Sequence, residues 1–142
     1  MQQFSIDYLA ETARQTASLS AFFGGFVAAF IGTLLLFNSR PRLASWAIGS
    51  ATLSAVAFIV AVINATKVVV SLPLYTPTNL SNLPAAIVRA RLLGTISFGV
   101  GIYGLLFSLG LSGWLHSKRT GIITSTFAII GIAFTTLSAF GF

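Results

Sequence analysis

The sequence predicts an all-α integral membrane protein whose four transmembrane helices form two hairpins. Only 7% of the residues are charged and 56% are hydrophobic, whereas a soluble domain has about 25% charged residues. The charge-free runs are also as long as the roughly 20 residues that a helix needs to cross the hydrocarbon layer. At 142 residues, the whole chain, 1–142, is expected to form a single membrane domain.

The charge balance is basic, at +6, but it does not point to nucleic acid. The cations stand singly or in pairs at the ends of apolar runs, as they do where lysine and arginine snorkel toward anionic headgroups. We therefore expect membrane lipids as partners and no nucleic acid. The chain has no cysteine, which excludes disulfides and thiol chemistry. The cations expected to contact headgroups or a partner are Arg40, Arg42, Lys67, Arg89, Arg91, Lys118 and Arg119.

The amino-terminal segment, residues 2–15, is predicted to form a short interfacial helix. It holds both acids of the chain, Asp7 and Glu11, and its apolar residues fall on one side. Such a helix lies in the headgroup layer rather than across the bilayer. An acidic start also differs from the basic start of a secretory signal, so no cleavage is expected.

The first hairpin is predicted from spans at 17–37 and 43–66, joined by a basic turn. Small residues recur at intervals of four in both spans, which lets helix backbones approach closely in lipid. Asn64 is the only carboxamide within a span, and we expect it to make an interhelical hydrogen bond. The predicted packing faces consist of Ala21, Gly25 and Ala29 in the first span and of Ala47, Ala51 and Ala55 in the second.

A proline-broken connector is predicted between spans two and three. Three of the four prolines lie there, at positions 73, 77 and 84, and proline forces extended or turn conformations. The stretch from Val68 to Leu74 is apolar and β-branched, so we expect it on the membrane surface. If the protein recognises a partner outside the bilayer, residues 68–91 are the first place to look.

The second hairpin is predicted from spans at 84–114 and 121–140, joined by a basic turn at 115–120. The third helix would be about 46 Å long at about 1.5 Å per residue, so its first turns, with Arg89 and Arg91, should project into the headgroups. This span is rich in glycine, and its small residues repeat at the same four-residue spacing. Its predicted packing positions are Ser97, Gly101, Gly104 and Ser108.

The sequence lacks the residue patterns that membrane or soluble enzymes use. No acid, lysine or arginine stands mid-span, where a proton relay or transporter would need it. His116 has no companion ligand for a metal ion, and no phosphate loop, dinucleotide fingerprint or HExxH pattern occurs. We predict no enzyme, no catalytic residue, no cofactor and no metal site.

These observations favour a non-enzymatic structural or accessory subunit of a membrane assembly, either a homo-oligomer or a larger complex. One alternative is a pore lined by serine, threonine and asparagine; another is an accessory protein that binds lipid, quinone or pigment.

The orientation in the membrane is predicted from the charges around the first span, because acids precede it, whereas Arg40 and Arg42 follow it. By the positive-inside rule, both short turns are expected in the cytoplasm, with the termini and the connector outside or in a lumen.

Overall fold

The computed structural model describes residues 6–36, 41–72 and 85–140. Within these ranges, the chain forms four helices that are long and apolar enough to cross a membrane, as predicted. Most of the predicted proline-broken connector, residues 73–84, lies outside the described residues. The helices are α1 (Ile6–Leu35), α2 (Pro41–Ser71), α3 (Ala85–His116) and α4 (Lys118–Phe140).

The predicted interfacial helix is not a separate element, because α1 runs without interruption from Ile6 to Leu35. No glycine or proline occurs before Gly24 in this helix, so nothing breaks its hydrogen-bond ladder. The hydroxyl of Thr12 donates to the Tyr8 carbonyl at 2.6 Å, and Thr16 donates to the Thr12 carbonyl at 2.9 Å. The polar start of α1 and its long apolar part therefore form one continuous helix.

The second helix is also longer than predicted. It continues past residue 66 to Ser71, so Val68 belongs to a helix and not to a surface connector. Val68 and Leu72 are buried against Leu9 and Ile87, and this packing outweighs the modest helix preference of β-branched residues. The helix ends before Pro73, because a residue that precedes proline is disfavoured in the helical conformation.

The surplus length of α1, α2 and α3 lies at one end of the molecule, which we call the connector end. Neighbouring helices run antiparallel, and the opposite end, the short-turn end, holds the α1–α2 and α3–α4 junctions. The first three helices have 30, 31 and 32 residues, whereas about 20 residues cross the hydrocarbon layer. With 23 residues, α4 has little surplus. Each of the first three helices is therefore longer than the hydrocarbon layer requires.

Three clusters of apolar side chains hold α1, α2 and α3 together along their length. The central cluster joins Val27 of α1, Ala51 and Phe58 of α2 and Leu105 of α3. Others lie at the connector end, around Leu72, and at the short-turn end. The largest helix–helix contact is between α2 and α3. The two predicted hairpins are therefore packed on each other and not held apart.

The fourth helix is attached differently, since among the described helices it contacts α3 alone. The junction between them is one residue, Ser117, and not the predicted turn of six. The Ser117 hydroxyl accepts a hydrogen bond from the Thr120 amide at 3.1 Å, as an N-cap serine does. Helix α4 thus begins at Lys118 and packs back along α3.

Candidate functional site

Two buried serine hydroxyls join α2 to α3. Ser54 donates to the Gly101 carbonyl at 2.6 Å, and Ser108 donates to the Ala47 carbonyl at 2.8 Å. Both serines are fully buried. Because a hydroxyl can reach a neighbour's carbonyl only where the backbones are close, the bonds fix how α2 and α3 lie against each other.

A glycine is required where Phe58 packs against α3. Phe58 is fully buried, and its ring stacks on Phe23 with 5.6 Å between centroids and meets Phe98 edge-on at 6.0 Å. A Cβ atom added at Gly101 would lie 2.7 Å from a ring carbon of Phe58. One at Gly104 would lie 3.2 Å from the Ser54 Cβ. The small residues of α3 therefore serve contacts within this chain.

The predicted alanines of α2 lie in the same interface. Ala47 and Ala51 are fully buried, and Ala55 packs against the cluster around Phe58. Ser97 is half-buried. Asn64 differs from its prediction: its side-chain amide donates to the Val60 carbonyl of its own helix at 2.9 Å. A Cβ atom added at Gly94 would lie 3.4 Å from the Cβ of Asn64. Asn64 therefore packs against α3 without a hydrogen bond to it.

The contact between α3 and α4 is a seam of glycines and hydroxyls that the sequence analysis missed. Gly113 faces Thr124, and Gly121 lies against the ring of Trp114. The Trp114 indole donates to the Ser125 hydroxyl at 2.9 Å. Gly121 and Ser125 are four residues apart, the spacing that predicted the packing faces of the other helices. The sequence therefore contained the signal for this seam.

The predicted packing face of α1 has no neighbour within the described chain. Ala21, Gly25 and Ala29 are exposed, and no described atom lies within 4 Å of a Cβ added at Gly25. The same is true of Gly32, seven residues further along, which places it on the same side. We call Ala21, Gly25, Ala29 and Gly32 the α1 face. Its role in packing stays a prediction.

A cleft of about 290 Å³ opens at the connector end. Its floor is α2 and its walls are α1 and α3, which make little contact with each other. Apolar side chains such as Val68 and Ile87 line most of it, together with the hydroxyl-bearing Thr12, Thr16 and Thr95 and the cationic Arg91. Ser20, one turn beyond Thr16 on α1, is buried, and its hydroxyl has no described hydrogen-bond partner.

The cations that were predicted to meet headgroups or a partner are exposed wherever the structure describes them; Arg40 lies outside the described residues. Glu11, one of the two acids of α1, accepts a hydrogen bond from the Gln15 amide at 3.3 Å. Within the described ranges, no lysine or arginine side chain forms an ion pair with a carboxylate. The exposed cations are Arg42, Lys67, Arg89, Arg91, Lys118 and Arg119.

No family model, curated protein or solved structure matches this chain. Its function must therefore be argued from its own geometry. Among the described residues, no group of three or more metal-ligating side chains comes together. Two features of the described residues can be related to function: the α1 face, on a helix that is long and apolar enough to cross a membrane, and the cleft with Arg91 at the connector end.

Proposed function

We propose that this chain is a non-enzymatic structural or accessory subunit of a membrane assembly, either a homo-oligomer or a larger complex. The proposal rests on the α1 face, a set of small residues open to the surroundings in a helix that can cross a membrane.

The contrast with the other helices supports this assignment. On α3 and α4, glycines such as Gly101, Gly113 and Gly121 have side chains of this same chain directly against them. On α1, Gly25 and Gly32 have none among the described residues and lie on one side of the helix. Gly49 of α2 and Gly99 of α3 also have none, but each is the single such glycine described on its helix. Since lipid tails are as apolar as leucine, helices in a membrane associate through close van der Waals packing, which small residues permit. The occupant proposed for the α1 face is therefore another transmembrane helix.

The pore alternative receives less support. Its lining would need hydroxyl and amide groups that are free to meet water or ions. Thr33, Thr52 and Thr126 each donate to a carbonyl four residues earlier in their own helix, as does the side-chain amide of Asn64. Such bonds satisfy the donors inside the helix.

For orientation, we propose that the short-turn end faces the cytoplasm. Arg42, Lys118 and Arg119 lie at this end, and cations in short loops favour the cytoplasmic side. The connector end, with the cleft, would then face outside or into a lumen.

Replacing Gly25 with leucine tests the assembly proposal. A leucine in the middle of the α1 face keeps the helices apart, and an overpacking cost of about 1–3 kcal/mol corresponds to a roughly 5- to 150-fold loss of association. The fraction of chain found in particles larger than one copy should fall accordingly. Native mass spectrometry of the protein in mild detergent measures this fraction.

The matched control is Gly49 to leucine. Gly49 is exposed on α2 and likewise has no described atom within 4 Å of an added Cβ, but it lies outside the α1 face. This variant should assemble like the wild type. Circular dichroism should show unchanged helix content in both variants. Equal assembly of the Gly25 variant and the wild type would remove the α1 face from the proposal.

A further inference from the structure

The cleft at the connector end lies at the depth of the lipid headgroups. Its lining comes from the parts of α1, α2 and α3 that are farthest from the short turns, namely 9–16, 65–72 and 87–95. Because about 20 residues are enough to cross the hydrocarbon layer, these segments extend past it. The cleft therefore borders the headgroups of one leaflet, and it opens sideways because α1 and α3 make little contact.

The chemistry of the cleft combines an apolar floor with an unneutralised cation. Val68, Leu72 and Ile87 form the apolar part and pack against Leu9. Arg91 stands on the α3 wall, and no described carboxylate pairs with it. Because no described carboxylate neutralises it, the exposed guanidinium of Arg91 can bind the anionic group of a ligand.

The hydroxyl-bearing side chains on both walls add polar groups near this cation. Thr12 and Thr16 line the cleft from α1, and Thr95 faces them from α3. Thr12, Thr16 and Thr95 each donate to a carbonyl of their own helix. Their oxygens can therefore accept from donor groups of a ligand, such as glycerol hydroxyls, and Arg91 is left to bind the anion. The unpaired hydroxyl of Ser20 lies one turn deeper on the side of α1 that Thr12 and Thr16 share. A ligand that fits must be anionic and polar at one end and apolar at the other.

We propose that the cleft binds one anionic phospholipid of the adjacent leaflet. The guanidinium of Arg91 holds the phosphate, since charge-assisted bonds between arginine and phosphate are strong and directional. The glycerol region and the upper part of an acyl chain lie along the apolar floor. A volume of about 290 Å³ is at the lower end of small-molecule pockets, which begin at about 300 Å³, so the cleft holds part of a lipid and the remainder stays in the bilayer. This site is independent of the proposed assembly through α1.

The test compares two arginines of one helix. Full-length protein in mild detergent is titrated with phosphatidylglycerol, and native mass spectrometry counts the lipids retained per chain. Arg91→Gln should weaken retention about tenfold, as expected for losing a hydrogen bond to a charged group. Arg89→Gln removes the same charge two residues away, where Arg89 is exposed but does not line the cleft. It should stay within about twofold of the wild type, as for an exposed surface charge.

A third variant, Ala13→Leu, fills the cleft without changing the charge. Ala13 is half-buried on the α1 wall, so this variant should also lose phosphatidylglycerol while keeping its helix content by circular dichroism. Two further probes separate the sources of the anion. Phosphatidylcholine should be retained less than phosphatidylglycerol, and inorganic phosphate should not compete.

Three results would overturn the proposal. Equal retention by the Arg91 and Arg89 variants would show a general attraction of cations for anionic lipid. Competition by inorganic phosphate would show a simple anion site that needs no lipid. Retention unaffected by Ala13→Leu would mean that the cleft is not where the lipid lies.

Discussion

Replacing Gly101 with alanine is expected to lower the free energy of unfolding by about 1–3 kcal/mol, the usual cost of overpacking a well-filled core. The added methyl group would lie 2.7 Å from the ring of Phe58. That ring cannot move aside, because it is fully buried and is held between Phe23 and Phe98. The α2 and α3 backbones would have to separate, which would also stretch the bond from Ser54 to Gly101. Unfolding in mixed micelles with increasing dodecyl sulfate measures the change.

The control for this prediction is Gly99 to alanine on the same helix. No described atom lies within 4 Å of a Cβ at Gly99, so the methyl group meets no neighbour. Alanine is also the better helix former, by about 0.5–1 kcal/mol. The Gly99 variant should therefore be as stable as the wild type or slightly more so. If both alanine variants had the same free energy of unfolding, the described packing of α3 against Phe58 would be wrong.

Replacing Gly113 with alanine is expected to undock α4 from α3 at the short-turn end. An added Cβ would overlap Thr124 and would lie 2.8 Å from the backbone carbonyl of Thr120. A backbone atom cannot rotate away, so the whole of α4 must shift. Since α4 contacts only α3 among the described helices, no second interface holds it in place. We expect the equilibrium constant for docking of α4 on α3 to fall about tenfold, in line with an overpacking cost of about 1–3 kcal/mol.

Introduced cysteines measure this docking, because the chain has none of its own. A Cβ at Gly110 would lie 3.3 Å from that of Ala128, close to the roughly 3.5–4.5 Å of a disulfide. Cysteines at these two positions should form a disulfide readily, and adding Gly113→Ala should slow its formation about tenfold, by the same overpacking estimate. Adding Gly49→Ala instead should leave the rate unchanged. If the disulfide formed as fast with Gly113→Ala as with Gly113, the close contact between α3 and α4 would be contradicted.

The membrane spans could be predicted because they depend on composition alone. A run without charges and of sufficient length is a span whatever it packs against, so the four helices appeared near their expected positions. The helix ends could not be predicted in this way. The segment predicted to be interfacial, residues 2–15, holds both acids, Asp7 and Glu11, and its described part begins at Ile6. Val68 opens the apolar, β-branched stretch that was expected on the membrane surface. Both segments are helical because their apolar residues, Leu9 and Val68, pack together at the connector end.

The candidate sites, too, could be predicted from the sequence only in part. Four-residue spacing marks small faces on α1, α2 and α3 but does not tell which are filled by the chain itself. Gly101 and Gly25 follow the same pattern, yet only Gly101 has a described neighbour within contact distance. Arg89 and Arg91 were also equivalent in sequence, and only the three-dimensional arrangement places Arg91 alone at the cleft. Such distinctions depend on how helices rotate against each other, which a single sequence does not specify.

The mass of the wild-type particle in mild detergent tests the assembly proposal most directly. One chain has a mass of 15.0 kDa. We expect particles that contain two or more copies, or one copy together with other polypeptides. Replacing Gly25 with leucine should shift the mass toward that of the single chain. A monodisperse single chain with no other polypeptide, in detergent gentle enough to retain bound lipid, would contradict it.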